Sequence, residues 1–249
     1  RGIHSQTIQA PVFKDRIFNW KSRGYVNTAF PIYRGKTIVG AVIRNKTFKG
    51  YAPGSKKNEG CWFSSLENLN GRPNQVIITE SALDALSFYQ LTPRQNNIYL
   101  STGGTLSQQQ FNWLQLMIES MRPSLIVCAN DRDKAGQMFN VQLLLTLDPA
   151  IRSLSPTLSF PSPHTCTLSL TFPTVNRAHA WKDFLTLSLP MLSIESELQA
   201  LSFNGIFPNS TAQFQHLWQA ILTLSHSPER WQLALPHKKD WNEDVLTGG

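Results

Sequence analysis

Between residues 74 and 146 three short apolar runs alternate with stretches of helical spacing, and this alternation narrows the possible folds more than anything else in the chain. "NQVIITE" reads as a short buried strand, and "SALDALSFYQL" as a helix with Leu83, Leu86 and Tyr89 along one side. "NNIYLST" is a second strand. Gly103 and Gly104 then make a turn, and Ser107 is placed to cap "QQQFNWLQLMIESM", whose Phe111, Leu114, Met117 and Ile118 share one face. "PSLIVCAND" is a third strand and leads into the helix "KAGQMFNVQLLLTL". Parallel strands need crossover connections, so this order predicts an α/β fold with a parallel sheet flanked by helices.

The ends of those strands carry acids. Glu80 closes the first, Asp131 closes the third, and Asp133 follows two positions later, before Ala135 and Gly136 open the next helix. In open parallel sheets, ligands gather beyond the carboxyl ends of the strands. If the first and third strands are neighbours, the three carboxylates converge on one rim, where they repel unless a cation lies between them. Hard oxygen ligands of this kind suit Mg²⁺ or Mn²⁺. A lone DxD at a strand end is also a common solvated turn or helix cap. A strand-end Glu80 followed 51 residues later by Asp131-x-Asp133-x-Ala-Gly is the more specific pattern.

The flanking text differs. Residues 1–72 alternate short β-like runs with turn residues; "TAFPIYRGKTIVGAVIRN" predicts a hairpin turning at Arg34-Gly35-Lys36, and "FKGYAPGSKKNEGCWF" is a Gly and Lys-rich loop. Arg44, Lys46, Lys49, Lys56 and Lys57 lie on this segment with Tyr51 and Trp62 interleaved, as in a track for single-stranded nucleic acid; scattered surface lysines are the plainer alternative. Residues 147–229 form a separate section. "SLSPTLSFPSPHTCTLSLTFPTV" reads either as a β-hairpin or as a loose insertion, and "MLSIESELQAL" and "TAQFQHLWQAILTLS" read as helices. Over 230–249, "RWQLALP" returns to a strand ahead of "HKKDWNEDVL".

Composition adds limits. A chain of 249 residues can bury a substantial core, and 41% hydrophobic with 16% charged residues is ordinary for a globule. The formal charge of +7 makes a polyanionic partner plausible. Cys61, Cys128 and Cys166 are odd in number and form no CxxC pair, which excludes a disulfide framework or zinc ribbon and fits a reducing, cytoplasmic setting. The six histidines show no metal-ligand spacing. The opening "RGIHSQTIQA" lacks a Met start and an apolar signal core, and reads as a fragment or trimmed chain. No membrane span is predicted.

With "IITESALDAL" and "VCANDRDKAG" the chain resembles the Toprim domain shared by bacterial primases, topoisomerases and some nucleases. The segment "FPIYRGKTIVGAVIRNKTFKGYAPGSKKNEGCWF" is similar to the basic strand region that precedes Toprim in DnaG-type primases, and "RGI" with "KDWN" resembles the primase-like Toprim proteins of plasmids and mobile elements. The likeness covers residues 1–146 and 230–249: a basic N-terminal subdomain over 1–72, a Toprim core over 73–146, and a last strand with the KDWN box over 230–249, with 147–229 inserted between.

The resemblance implies roles. Glu80 would act as general acid or base, or as a metal ligand; Asp84 matches a further acidic position, and Asp131 with Asp133 the metal-binding pair. Asp84 otherwise reads as an exposed helix residue. Asp240 resembles the first acid of the last motif, but Asn242 stands where primases usually have a second Asp. Without the resemblance, "KDWNED" reads as a helix entry with Asp240 or Asn242 capping and Trp241 stapled to the core. The implied activity is Mg²⁺-dependent (or Mn²⁺-dependent) nucleotidyl transfer on single-stranded DNA from nucleoside triphosphates, with a helicase or relaxase as a further partner. A Toprim nuclease and a non-catalytic nucleic-acid-binding module are the alternatives. No tyrosine sits in a context that singles it out for strand passage.

Overall fold

The computed structural model describes residues 2–22, 24–67, 69–189, 192–194, 201–225 and 227–248. In chain order, α1 (Ser5–Ile8) precedes a strand-rich run of β1 (Phe18–Ser22), β2 (Tyr25–Arg34), β3 (Thr37–Arg44), β4 (Lys49–Tyr51) and β5 (Trp62–Phe63). The alternating section follows as β6 (Gln75–Thr79), α2 (Ala82–Leu91), β7 (Asn97–Ser101), α3 (Gln108–Met121), β8 (Leu125–Cys128) and α4 (Lys134–Leu147). Then come α5 (Pro149–Arg152), β9 (Thr157–Ser162), β10 (Thr165–Thr171), α6 (Val175–Ser188), β11 (Ser193–Ile194), β12 (Ser202–Pro208), α7 (Thr211–Leu224), β13 (Trp231–Leu233) and α8 (Trp241–Thr247). The chain divides into two compact units, Arg1–Arg132 with Gln232–Gly249, and Asp133–Trp231.

The first unit holds a five-stranded mixed sheet in the order β13-β8-β6-β7-β5. β6 pairs in parallel with both β7 and β8, and β5 closes one side antiparallel to β7. The chain leaves β6 through α2 to reach β7 on one side, and returns through α3 to reach β8 on the other. Right-handed crossovers running opposite ways put these helices on opposite faces and make the gap between β6 and β8 the switch point of the sheet. Val76, Ile77 and Ile78 of β6 are fully buried, as a strand covered on both faces must be. Ile77, Tyr99 and Val127 join Ala85 and Leu86 of α2 in the main apolar cluster, with Phe13, Phe30, Trp62 and Trp241.

The other sheet of this unit is antiparallel, β1-β2-β3-β4. The expected hairpin forms between β2 and β3, with Arg34 opposite Thr37 across a two-residue turn. This sheet is stitched to the first by Tyr33 and Cys61, which exchange both backbone hydrogen bonds at 2.8 and 3.1 Å. The approach requires Gly60, where a Cβ would stand 2.2 Å from the Tyr33 carbonyl oxygen.

The second unit contains an antiparallel sheet in the order β11-β12-β10-β9. Cys166, Leu168 and Leu170 alternate inward along β10, and Phe203, Gly205 and Phe207 along β12, so this sheet buries one face. The stretch left open between hairpin and loose insertion is thus the β9–β10 hairpin. Within "MLSIESELQAL", expected as a helix, Ser193–Ile194 instead pair with Ile206 and Gly205 of β12. Leu192 lies over Gly205, where a Cβ would meet it at 2.9 Å, so a free strand edge overrides local helix preference. Residues 191 and 195–200 of that segment lie outside the described residues. Among the described residues no helix is long and apolar enough to cross a membrane.

Candidate functional site

Glu80 follows β6 directly, and its backbone is fixed from the neighbouring strand end. The Ser101 hydroxyl and the Gly103 N–H both donate to the Glu80 carbonyl, at 3.1 and 2.9 Å. Gly103 and Gly104 reach this position with φ of +73° and +107°, a conformation side-chain-bearing residues rarely adopt. Thr79, fully buried, donates from Oγ1 to the carbonyls of Ser81 and Leu100 and ties the strand end to the start of α2.

Ser81 caps α2. Its hydroxyl accepts the Asp84 N–H at 3.3 Å and donates to Asp84 Oδ2 at 2.5 Å. Asp84 is therefore not the exposed helix residue that one reading of the sequence allowed: only 7% of it is accessible. Burial is the main reason its carboxyl is pushed up to about 6; the Ser81 hydrogen bond pulls it back, the charges of Asp240 and Glu80 raise it, and Arg44 lowers it. Four groups distant in sequence thus share one electrostatic neighbourhood: the end of β3, the end of β6, the first turn of α2 and the entry to α8.

The tail is held across the β8 end. The Trp241 indole N–H donates to the Ala129 carbonyl at 2.8 Å, and its ring meets Phe88 of α2 edge-on at 4.7 Å. Arg132 donates from its backbone to the Lys239 carbonyl at 2.8 Å, and from Nη1 to the carbonyls of Pro236 and His237. Asp131 is thereby bracketed between the β8 end and the residue preceding Asp240. β6 and β8 are hydrogen-bonded neighbours with Ile78 level with Cys128, so Glu80 and Asp131 leave adjacent strands at the switch point. Asp240 caps α8 by accepting the Glu243 N–H at 2.8 Å. Asn242, where a second acid was expected, is buried against α2 and donates to Ser87 Oγ at 3.3 Å. Asp133 opens the second unit as the N-cap of α4, accepting the Gly136 N–H at 3.1 Å.

The basic residues separate into several settings. Arg44 and Lys49, opposite each other on β3 and β4, line one small cavity with Tyr51, Trp62, Glu80 and Gly103. Lys57 lies 5.6 Å from the Tyr51 ring centroid and lines an adjoining hollow of about 150 Å³ with Ser101 and Gly103. Lys46 shares a third hollow with Arg44 and Leu83. Lys56 pairs with Glu59 at 3.5 Å.

Sequence reading named the acids but missed what positions them. Ser101 and Arg132 carry no chemical signature of their own; only the "STGG" after a strand and the Arg inside "DRD" hinted at them. Asp244 was also passed over: it is buried and accepts the N–H groups of His237 and Lys238 at 2.8 and 2.7 Å, shaping the KDWN approach.

Among the described residues, no three His, Cys, Asp or Glu side chains come close enough to share one ion as a closed cage. Mg²⁺ does not require one, since it keeps several waters and takes one or two carboxylates directly. An all-oxygen donor set at a switch point, beside a buried acid raised first by desolvation and then by its acidic neighbours, fits such an ion.

No curated protein matches the chain as a relative. Residues 77–157, from β6 to the start of β9, match a Toprim-like family, while residues 1–76 and 158–249 lie outside that match. The chain therefore contains a Toprim-like domain, which ties it to divalent metal binding and to nucleic-acid processing.

Proposed function

We propose that the protein catalyses primase-type nucleotidyl transfer on single-stranded DNA, of the kind used in replication or mobilisation of mobile elements. The observation that carries this reading is the cavity in which Arg44 and Lys49 of the basic sheet face Glu80 of the acidic rim. Cations and a carboxylate across one cleft suit a reaction that must hold phosphates and move a proton from a hydroxyl.

Glu80 and Asp131 would hold Mg²⁺ or Mn²⁺, with Asp84 and Asp240 as the neighbouring acids. Such an ion neutralises triphosphate charge and lowers the pKa of a bound hydroxyl. Arg44 and Lys49 bind phosphate oxygens beside Glu80. Lys46, Lys56 and Lys57 extend that grip along the template backbone without reading sequence. The Glu80 carboxylate accepts the proton of the attacking 3′-hydroxyl, and Ser101 and Gly103 keep it in place by anchoring its backbone.

The test is primer synthesis on single-stranded DNA with Mg²⁺ or Mn²⁺, run beside Glu80→Gln. Loss of a positioned base should cut the rate by about 10²- to 10⁴-fold. Undiminished synthesis by Glu80→Gln contradicts the role of Glu80, and cleavage of the strand without added nucleotides would assign the site to a nuclease.

A further inference from the structure

The Glu80 cavity is the middle of a longer cleft along one face of the four-stranded sheet. The register sets Asn19, Thr28, Arg44 and Lys49 directly opposite one another across β1 to β4, so the four share that face. Hydrogen-bonding and cationic side chains thus form one row that leads away from the cavity, from Lys49 through Arg44 and Thr28 to Asn19.

The hollows on either side of that cavity have different walls. One, of about 150 Å³, shares Tyr51, Trp62, Ser101 and Gly103 with it. Three supports enclose this hollow: the sheet through Ile32 and Val42, the turn of helix Lys57–Glu59 through Asn58, and the loop between β7 and α3 through Thr102 and Thr105. They are stitched together. Gln110, only 3% exposed, donates from Nε2 to the carbonyls of Lys57 and Gly60 at 3.1 and 2.8 Å, and the Ser107 hydroxyl donates to the Asn58 carbonyl at 2.8 Å.

The hollow on the other side is larger, about 370 Å³, and shares Phe30, Arg44 and Leu83 with the Glu80 cavity. Thr28, Asn45 and Lys46 complete its lining, so among the described residues only the sheet and α2 wall it. One side of the reaction centre is therefore enclosed and the other is open along the polar row. A chain that grows by one nucleotide at a time needs both: the incoming unit must be held still for attack, and the product must be able to leave.

We propose that the enclosed hollow takes the base of the incoming nucleoside triphosphate, and the open one the nucleotide that carries the attacking 3′-hydroxyl, with Arg44, Lys49 and Glu80 at the junction. This rests on the reading of nucleotidyl transfer and adds the direction in which product leaves, past Thr28 and Lys46. Tyr51 gives the base a flat wall, steadied by Lys57 over its ring. At the junction the 3′-oxygen bonds to the α-phosphorus, the bond to the β-phosphate breaks with release of pyrophosphate, and the hydroxyl proton passes to Glu80.

The test is calorimetric binding of α,β-methylene-ATP with Mg²⁺ to the unaltered protein, to Thr105→Trp and to Thr28→Trp, each indole filling one hollow from a position that is not buried. Thr105→Trp should weaken binding of the analogue by about tenfold or more, and Thr28→Trp should leave it unchanged. Equal affinity in all three proteins, or a loss in Thr28→Trp as large as that in Thr105→Trp, overturns the assignment of the hollows while nucleotidyl transfer stands. No binding by the unaltered protein at millimolar analogue, together with no primer synthesis, overturns both. Photocrosslinking of azidoadenosine triphosphate to the unaltered protein needs no variant: adducts on Tyr51, Asn58 or Thr105 support the assignment, and adducts confined to Thr28, Lys46 or Leu83 overturn it.

Discussion

Asp84 and Asp148 are both buried aspartates near helix starts, one in each compact unit, and their surroundings are opposite. Asp148 is 1% exposed and accepts four hydrogen bonds: the N–H groups of Ala150 and Ile151, the Ser225 hydroxyl at 2.8 Å and the Trp231 indole N–H at 3.0 Å. Those donors come from three separate stretches of the second unit, so its carboxylate ties them together. The Asp84 carboxylate accepts from the Ser81 hydroxyl, and beyond it lie the charges of two other acids and one arginine. Burial is common to both; acidic neighbours distinguish Asp84 alone.

The contrast can be broken at either end. The largest effect is expected from Asp148→Ala, which strands several buried donors at once. Removing one side of a buried charged network costs roughly 3–5 kcal/mol, and thermal unfolding should show the second unit melting far earlier. A small change would mean that water replaces the carboxylate.

Asp84→Asn should act in the other direction and depend on pH. With its folded pKa raised from 3.8 to about 6, Asp84 keeps a proton in the folded chain that the unfolded chain has already lost. Stability therefore declines as pH rises from about 4 through 6, and the full penalty, on the order of 3 kcal/mol, is present above that window. Asp84→Asn should raise the melting temperature at pH 8 by roughly 5–10 °C and leave it unchanged near pH 4. Identical melting of both proteins at pH 8 would show that Asp84 carries no such load.

Ser81→Ala is the smallest of the three changes. It removes an N-cap worth about 1 kcal/mol and the hydrogen bond that favours the Asp84 carboxylate. The stability decline should then extend to pH values above 6, which melting curves across pH would detect.

Much of the first unit was legible because its signals are local. Apolar runs of strand length, the Ser107 N-cap and the turn at Arg34-Gly35-Lys36 each act within a few residues, and each appears where expected. That β6 and β8, which lead into Glu80 and Asp131, are neighbours was legible because a parallel sheet sends alternate crossovers to either side of a switch point. What stayed hidden depends on contacts across the fold. The packing of α8 on α2, the hydrogen bond of Asn242 to Ser87 and the seat of Leu192 over Gly205 all join residues far apart in the chain. No spacing in the sequence encodes those partners.

The central claim is that Glu80 and Asp131, at the ends of adjacent strands, hold one divalent ion. Mn²⁺ binding measured by water-proton relaxation tests it most directly, with the parent protein compared against Glu80→Gln/Asp131→Asn and against Asp183→Asn, an exposed acid of the second unit. Parent and Asp183→Asn are expected to bind Mn²⁺ alike, with affinity reduced about tenfold or more in the double variant. Equal binding by all three proteins, or no binding by the parent at millimolar Mn²⁺, would contradict it.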